Sequence, residues 1–435
     1  MRRTGAGANS HAKGAENGSS PSRLCYNDLP LDGRVRTAFQ KRRQSSQAAL
    51  VGAPGSYAKV LRNAMKFTIE RNSLLRALGH VQSVVERRNT IPILSNVLIE
   101  AQAERVSLTA TDMDIALVET VSATVARQGA LTMPAHTLYD IIRKLPEGAE
   151  VVVDGGDKGQ VGLRAGRSKF TLACLPAEDF PKLAGGEMPA TFRLEAADLR
   201  GLVDRTRFAI STEETRYYLN GIYLHAAQSD GVKVLRAVAT DGHRLARVEI
   251  PLPSDAESIP GVIIPRKTVG ELRRLVDESG GALQVALSET RIRFAFDDVV
   301  LTSKLIDGTF PDYERVIPTT NDKVMEVNCK DFTAAVDRVA TVSTEKSRAV
   351  KLTVSRGSLV LSATSPETGN ASEEIEVRYD APPIEIGFNS RYLLDITQQI
   401  DGDGARFIMA DAGSPTLIRD VADASALYVL MPLRV

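Results

Sequence analysis

The chain has 435 residues, 43% hydrophobic and 25% charged, with 54 Lys and Arg against 54 Asp and Glu. That length and composition favour about three globular domains over one, and the balanced charge gives no bulk attraction to nucleic acid or membrane. The longest apolar runs, such as residues 426–432, fall far short of the roughly 20 residues that cross a bilayer, and the widely separated Cys25, Cys174 and Cys329 argue against a disulfide framework or zinc knuckle and for a reducing, intracellular setting.

The charge is unevenly spread along the chain. Residues 1–64 hold 11 Lys and Arg against 3 Asp and Glu, a balance of +8, which leaves −8 for the remainder. This segment is rich in Gly, Ser, Ala and Arg, with Lys41, Arg42 and Arg43 as its densest basic run, and it has no sustained period. It is predicted to be a disordered basic extension, either an arm that touches phosphates or a dispensable tail ahead of a start at Met65. No apolar stretch follows Met1, Arg2 and Arg3, so it does not read as a secretory signal, and the cytoplasm, in association with the nucleoid, is the expected location.

From Met65 onward the sequence repeats itself weakly three times. Each copy opens with an alternating strand and an amphipathic helix: residues 65–70 then 71–85, 191–195 then 196–208, and 324–328 then 330–342. In the first helix Leu74, Leu78, Val81 and Val85 share one face, the spacing of a core stripe. Short strands then end near Ala110-Thr111-Asp112, Ala239-Thr240-Asp241 and Ala363-Thr364-Ser365, and a second helix begins at Pro134, Pro265 and Asn389. Proline is tolerated in a first helical turn, where its missing N–H has no intrahelical partner. A period of about 130 residues is the size of a whole domain, so the predicted fold class is α+β: three repeated domains, over 65–190, 191–320 and 321–435, of antiparallel sheets with helices on one face.

The helices carry basic residues on their other faces: Arg71, Arg76, Arg143 and Lys144 in the first copy, Arg200, Arg205, Arg207, Arg266, Lys267, Arg273 and Arg274 in the second, and Lys330, Arg338 and Arg391 in the third. In an otherwise acidic body this pattern predicts a helical layer that faces a polyanion. No phosphate loop, zinc helix or nucleophile elbow is present. Asp112 and Asp114 have the spacing of a two-metal carboxylate pair, and His243 beside Asp241 that of a base with its orienting acid, but neither has a supporting motif and both read as turns. No catalytic residue, metal or cofactor is expected.

The chain resembles the beta subunit of bacterial DNA polymerase III, the DNA sliding clamp family. The strings that carry the likeness are Met65-Lys-Phe-Thr-Ile-Glu-Arg, Pro92-Ile-Leu-Ser-Asn, Leu145-Pro-Glu-Gly-Ala-Glu, Arg216-Tyr-Tyr-Leu-Asn-Gly, Ala239-Thr-Asp-Gly-His-Arg-Leu-Ala, Ile264-Pro-Arg-Lys, Thr302-Ser-Lys-Leu, Phe310-Pro-Asp-Tyr and Tyr428-Val-Leu-Met-Pro-Leu-Arg-Val. They run in family order from Met65 to Val435, and residues 1–64 lie outside them. The resemblance implies a head-to-tail, ring-shaped homodimer with six-fold pseudo-symmetry, helices lining the hole and sheets outside. Such a ring is a non-catalytic processivity factor that encircles double-stranded DNA without sequence preference. It implies partners too: the polymerase III alpha subunit, the clamp loader delta subunit, and repair and translesion polymerases, ligase and mismatch-repair proteins. A paralogue with a repair or antibiotic-tolerance role is the alternative.

Carried over position by position, the resemblance places a partner-peptide groove at Leu219, Thr240, Gly242, His243, Arg244, Leu245, Pro311, Arg315, Val316, Asn389, Tyr392, Val429, Met431, Pro432, Leu433 and Arg434. DNA contacts fall on Arg88, Tyr217 and Tyr218, with Arg266 and Lys267 on the lumen side. One family contact position is occupied by Glu213, whose carboxylate is expected to repel phosphate. The dimer interface falls on Phe170 and Leu172 against Thr341 and Val342, where Thr341 replaces an apolar residue and is expected to weaken the seam somewhat.

Overall fold

A computed structural model describes residues 65–155, 159–182, 186–278, 280–343 and 348–434. The expectation of a disordered basic extension over residues 1–64 lies outside the described residues, as does Val435. The described chain holds α1 (Arg71–Val84), α2 (Ala135–Lys144), α3 (Ala196–Arg207), α4 (Arg266–Glu278), α5 (Cys329–Ala340) and α6 (Ser390–Thr397). None of these is long and apolar enough to cross a membrane.

Each helix follows a strand without an intervening loop, and three of the junctions are held by a side chain that caps the first free amides. Glu70 Oε2 accepts from Ser73 N at 2.8 Å, Asn328 Oδ1 from Lys330 N and Asp331 N at 3.1 Å each, and Asn389 Oδ1 from Arg391 N at 3.0 Å. The two prolines expected inside a first helical turn instead close the preceding strands, Gly129–Pro134 and Val262–Pro265. Both are edge strands, where proline's missing N–H leaves no ladder bond unmade. The first helix stops at Val84, with Val85 still buried beyond its end.

The apolar stripes are core. Leu74, Leu78, Val81 and Val84 of α1 and Leu272, Leu275 and Val276 of α4 pack with the inward residues of the strands, including the fully buried Phe67, Phe192, Phe294 and Phe407. Each such side chain contributes about 1.5–3 kcal/mol by leaving water.

The strands form four antiparallel sheets. One has five strands and another four. The eight-stranded sheet and the nine-stranded sheet each join two repeats. The ladders align the repeats residue by residue. Phe67 faces Val153, Phe192 faces Val285 and Met325 faces Phe407. Continuing outward through Leu163, Phe294 and Ile418, the last strand of each repeat brings up Phe170, Leu301 and Tyr428.

That last strand makes each join. Val299–Lys304 pairs with Ile115–Ser122, Leu301 opposite Leu117, and Ala426–Leu430 pairs with Arg244–Pro251, Tyr428 opposite Ala246. Two corresponding strands stay outermost in their sheets: Ser168–Ala173, the last strand of the first repeat, and Gly369–Glu376, the strand of the third repeat that matches Ile115–Ser122 and Arg244–Pro251. Ala371, opposite Ala363, stands where Leu117 and Ala246 stand in the two joins.

Candidate partner groove and nucleic-acid interface

The predicted groove residues gather along the second join. Leu219, Leu245 and Val429 belong to a small apolar cluster of their own with Val238, Ile263, Phe310, Tyr313, Leu417 and Leu427. The rim is apolar and open: Val316 is 49% exposed and Met431 40%. The chain end is laced onto it, since Met431 N donates to His243 O at 2.9 Å and Leu433 N to Gly387 O at 2.8 Å.

A tight turn forms one wall. Asp241 Oδ1 accepts from His243 N and Arg244 N, Thr240 Oγ1 donates to Arg244 O at 2.7 Å and accepts from Gly242 N, and Gly242 sits at φ +87°. Glycine adopts this left-handed backbone without the cost a side chain bears, and a Cβ would stand 2.6 Å from Arg216 Nη1. His243 stacks on Tyr392, its ring centroid 6.3 Å away.

Arg244 has a different character from its neighbours. It is buried, pairs with Asp241 and Asp395, donates to Phe208 O at 2.6 Å and lies over the rings of Tyr392 and Phe208. It ties the groove turn to α3 and α6. Pro311, Arg315 and Val316 flank or belong to a short helical turn, Tyr313–Val316, and are exposed, whereas Asn389, Pro432 and Leu433 are half-buried.

On the expected nucleic-acid side, Tyr217 is 54% exposed and packs edge-on against Tyr218, while Arg88 and Arg266 are exposed. Glu213 is not a bare carboxylate. Arg216 grips it with two hydrogen bonds, Nε to Oε2 at 2.7 Å and Nη2 to Oε1 at 2.6 Å, and this guanidinium holds the Glu213 carboxyl below the usual range. The repulsion expected from Glu213 is therefore largely offset.

Lys267 is likewise engaged, with Asp112 and, at 3.0 Å, with Glu86. Burial pushes the Asp112 carboxyl up, but Lys267 and the amides of Ile115 and Asp114 outweigh it and leave it lowered. Asp112 thus caps a turn and Asp114 pairs with Lys304 at 2.9 Å.

The basic helical faces are thinner than their composition suggests. Arg71 is buried and donates to Ile142 O and Arg143 O at the end of α2. Asp204 pairs with Arg200, Arg207 and Arg273, Asp277 pairs with Arg200 and Arg273 as well, and Arg205 reaches Asp423 at 2.7 Å. Arg200, Arg205, Arg207 and Arg266 line a cleft of about 760 Å³ between α3, α4 and α6, which shares Phe208 and Asp395 with the anchorage of Arg244.

Sequence reasoning missed Arg216, Phe310 and Tyr313 as parts of the groove's frame. All three lie inside strings that carry the family likeness, which was the signal available. Of the expected interface residues, Phe170 and Leu172 sit half-buried on the outermost strand Ser168–Ala173. Thr341 caps the end of α5, and Val342 follows it. The outer strand Gly369–Glu376 is tied to α5 by the forked pair of Arg338 with Glu373.

Three family models match consecutive parts of the chain: the N-terminal, central and C-terminal domains of the DNA polymerase III beta subunit, over residues 65–184, 193–312 and 314–434. Among curated relatives the chain is 54% identical over 372 residues to the beta sliding clamp of Caulobacter vibrioides (strain NA1000 / CB15N), and 41% identical over 374 residues to that of Escherichia coli (strain K12). Both alignments cover 85% of this chain and 100% of the relative. Among solved structures it is similar to a Caulobacter crescentus beta sliding clamp with PEG bound, with TM-score 0.84 and 54% identity over 86% of this chain and 100% of that one. A Bartonella birtlesii sliding clamp bound to griselimycin gives TM-score 0.83 and 52% identity over 85% and 100%.

Proposed function

Since the chain belongs to the DNA polymerase III beta subunit family, the beta sliding clamps, we propose that two copies close head to tail around double-stranded DNA and tether the polymerase to it. The observation that carries this is the rule of the joins. Twice within the chain, the last strand of one repeat pairs with the same strand of the preceding repeat, and of these joining strands the two left without such a partner, Ser168–Ala173 and Gly369–Glu376, are the two that the rule would pair with each other. Ser168–Ala173 of one copy then seats on Gly369–Glu376 of the next, with Phe170 and Leu172 near Thr341 and Val342.

Two chains make six repeats and bring twelve of the described helices to the inner wall. Arg88, Tyr217, Tyr218 and Arg266 contact DNA through phosphates and base faces, which carries no sequence information and lets the ring slide. Lys267 acts there only by leaving Asp112 and Glu86. The groove takes short extended peptides with leucine and phenylalanine anchors from the polymerase alpha subunit, the loader delta subunit and other clamp-binding proteins, in the manner of an apolar cleft with a polar rim. The chain itself is non-catalytic and works in the cytoplasm.

Retention on nicked circular DNA tests the ring. After loading by the cognate loader with ATP, the protein should stay on the circle through a high-salt wash and leave once the DNA is cut to a linear form. Loss in salt regardless of linearisation would mean electrostatic binding alone and would overturn the reading.

A further inference from the structure

Behind the exposed segment that carries Pro311, Arg315 and Val316 lies a buried polar chain that the groove itself does not explain. Tyr313, 6% exposed, opens the short helical turn Tyr313–Val316. Its Oη stands 2.8 Å from Arg236 Nη1 and 3.0 Å from His225 Nε2, and His225 Nδ1 stands 3.0 Å from Ala226 O. Arg236, 3% exposed, also donates from Nε to Glu249 at 2.7 Å and from Nη1 to Glu314 at 2.6 Å. Tyr223 stacks on His225 on one side and on Phe310 on the other, at 4.5 and 4.9 Å between centroids.

The protons in this chain have only one consistent arrangement. A guanidinium can only donate, so Tyr313 Oη accepts from Arg236. The Tyr313 hydroxyl proton then goes to His225 Nε2, which must be bare, and the single imidazole proton sits on Nδ1 and goes to Ala226 O. A second proton on His225 would aim an N–H at Oη, leave the tyrosine proton without its acceptor and place a cation beside Arg236. The groups facing His225 are Tyr313, Tyr223, Arg236, Glu249 and Glu314, with Arg247 beyond Glu249. Burial and Arg236 hold the imidazole below its ordinary range against the opposing pull of the Ala226 carbonyl and the two carboxylates.

We propose that His225 is a positioning residue for the groove: as the neutral acceptor at the end of the Arg236–Tyr313 chain it holds the wall at residues 311–316 in its peptide-binding shape, and protonation releases that wall. The inference rests on the groove reading above. Peptide capture is therefore weakened in acid through a group that does not touch the peptide.

The test is fluorescence polarisation with a labelled pentapeptide bearing two leucines and a terminal phenylalanine, titrated with the full dimer from pH 8 to pH 5.5. The wild-type Kd should rise at least about twofold more across that range than the Kd of His225→Gln, whose amide oxygen can still accept from Tyr313 but does not titrate. At pH 8 the two should agree within about twofold. Tyr313→Phe should bind several-fold more weakly at pH 8 and lack the same acid component. Amide exchange supplies a readout without peptide: the protection factor of Ile317 N, which donates to Glu314 O, taken against the intrinsic exchange rate at each pH, should fall in acid in the wild type and not in His225→Gln. If His225→Gln keeps the whole wild-type pH dependence, the titrating group is elsewhere and the inference is overturned. If the wild type fails to bind peptide at pH 8, the groove reading falls first and takes the inference with it.

Discussion

Met113 sits at φ +82° and is 45% exposed. Its turn copies the groove turn atom for atom: Thr111 Oγ1 donates to Ile115 O at 2.7 Å and Met113 N donates to Thr111 Oγ1 at 3.0 Å, as Thr240 and Gly242 do at 2.7 and 3.1 Å. Where the second repeat has glycine, the first holds a side chain in a backbone conformation that costs about 1–2 kcal/mol. Met113→Gly should accordingly raise stability by up to about 1 kcal/mol once glycine's extra unfolded-state freedom is deducted. A higher denaturant midpoint at unchanged slope would show it, and a lower midpoint would mean that the methionine packs usefully. At this scale the sequence was legible in part. The Ala-Thr-Asp strings located both turns, but a propensity reading has no means of showing that a methionine adopts glycine's conformation. The same holds for Glu213, which is adjacent to Arg216 only because residues 214–219 coil into a 3-10 turn.

Among the helices, α1 and α4 meet at a buried histidine. His80 Nδ1 lies 2.7 Å from Glu119 Oε2, on a strand of the first repeat, and Nε2 lies 2.9 Å from Glu278 Oε1, at the end of α4 in the second. Burial pushes the His80 pKa down, but the hydrogen bond to Glu119 and the adjacent Glu278 carboxylate outweigh it and the net direction is up. A raised folded-state pKa means that this stabilisation is complete below the ordinary imidazole value and is lost as pH rises through the folded one. His80→Gln should thus cost on the order of 2 kcal/mol in mildly acidic buffer and progressively less as pH rises, read as the wild-type minus variant difference in unfolding free energy. A difference that grows with pH would contradict the charged bridge. Elements themselves were well read from periodicity, because strand and helix stripes are local. His80 was passed over because its two carboxylates are 39 and 198 positions away in sequence, and the partners of a buried polar group are set by packing. Arg71 was misjudged for the same reason, counted with a solvated basic face although it serves the end of α2 from inside.

For the molecule as a whole, the three repeats and their α+β class followed from period and alternation, whereas the joins did not. Which strand pairs with which depends on long-range register that no local pattern encodes. Extended to the proposed contact between copies, the ladders of the two joins predict Phe170 opposite Ala371, as Leu301 is opposite Leu117 and Tyr428 opposite Ala246. Directly opposed residues in antiparallel strands have Cα atoms about 4.5–5.5 Å apart, within disulfide reach. The double variant Phe170→Cys, Ala371→Cys should therefore cross-link two copies covalently under mild oxidation, and Phe170→Cys with Ser372→Cys should not. Efficient cross-linking of the second pair, or of neither while the protein sediments as a monomer, would refute the register or the dimer.

The arginines of the helical layer mostly arrive already matched with carboxylates, three of them sharing Asp204. A duplex threaded past that wall would trade one ion pair for another at nearly equal strength each time a phosphate came level with a guanidinium. The path along the DNA axis is then close to level, with no deep stopping place every few base pairs. Such a surface behaves as a bearing: enclosure keeps the DNA in, and low friction lets the polymerase set the speed.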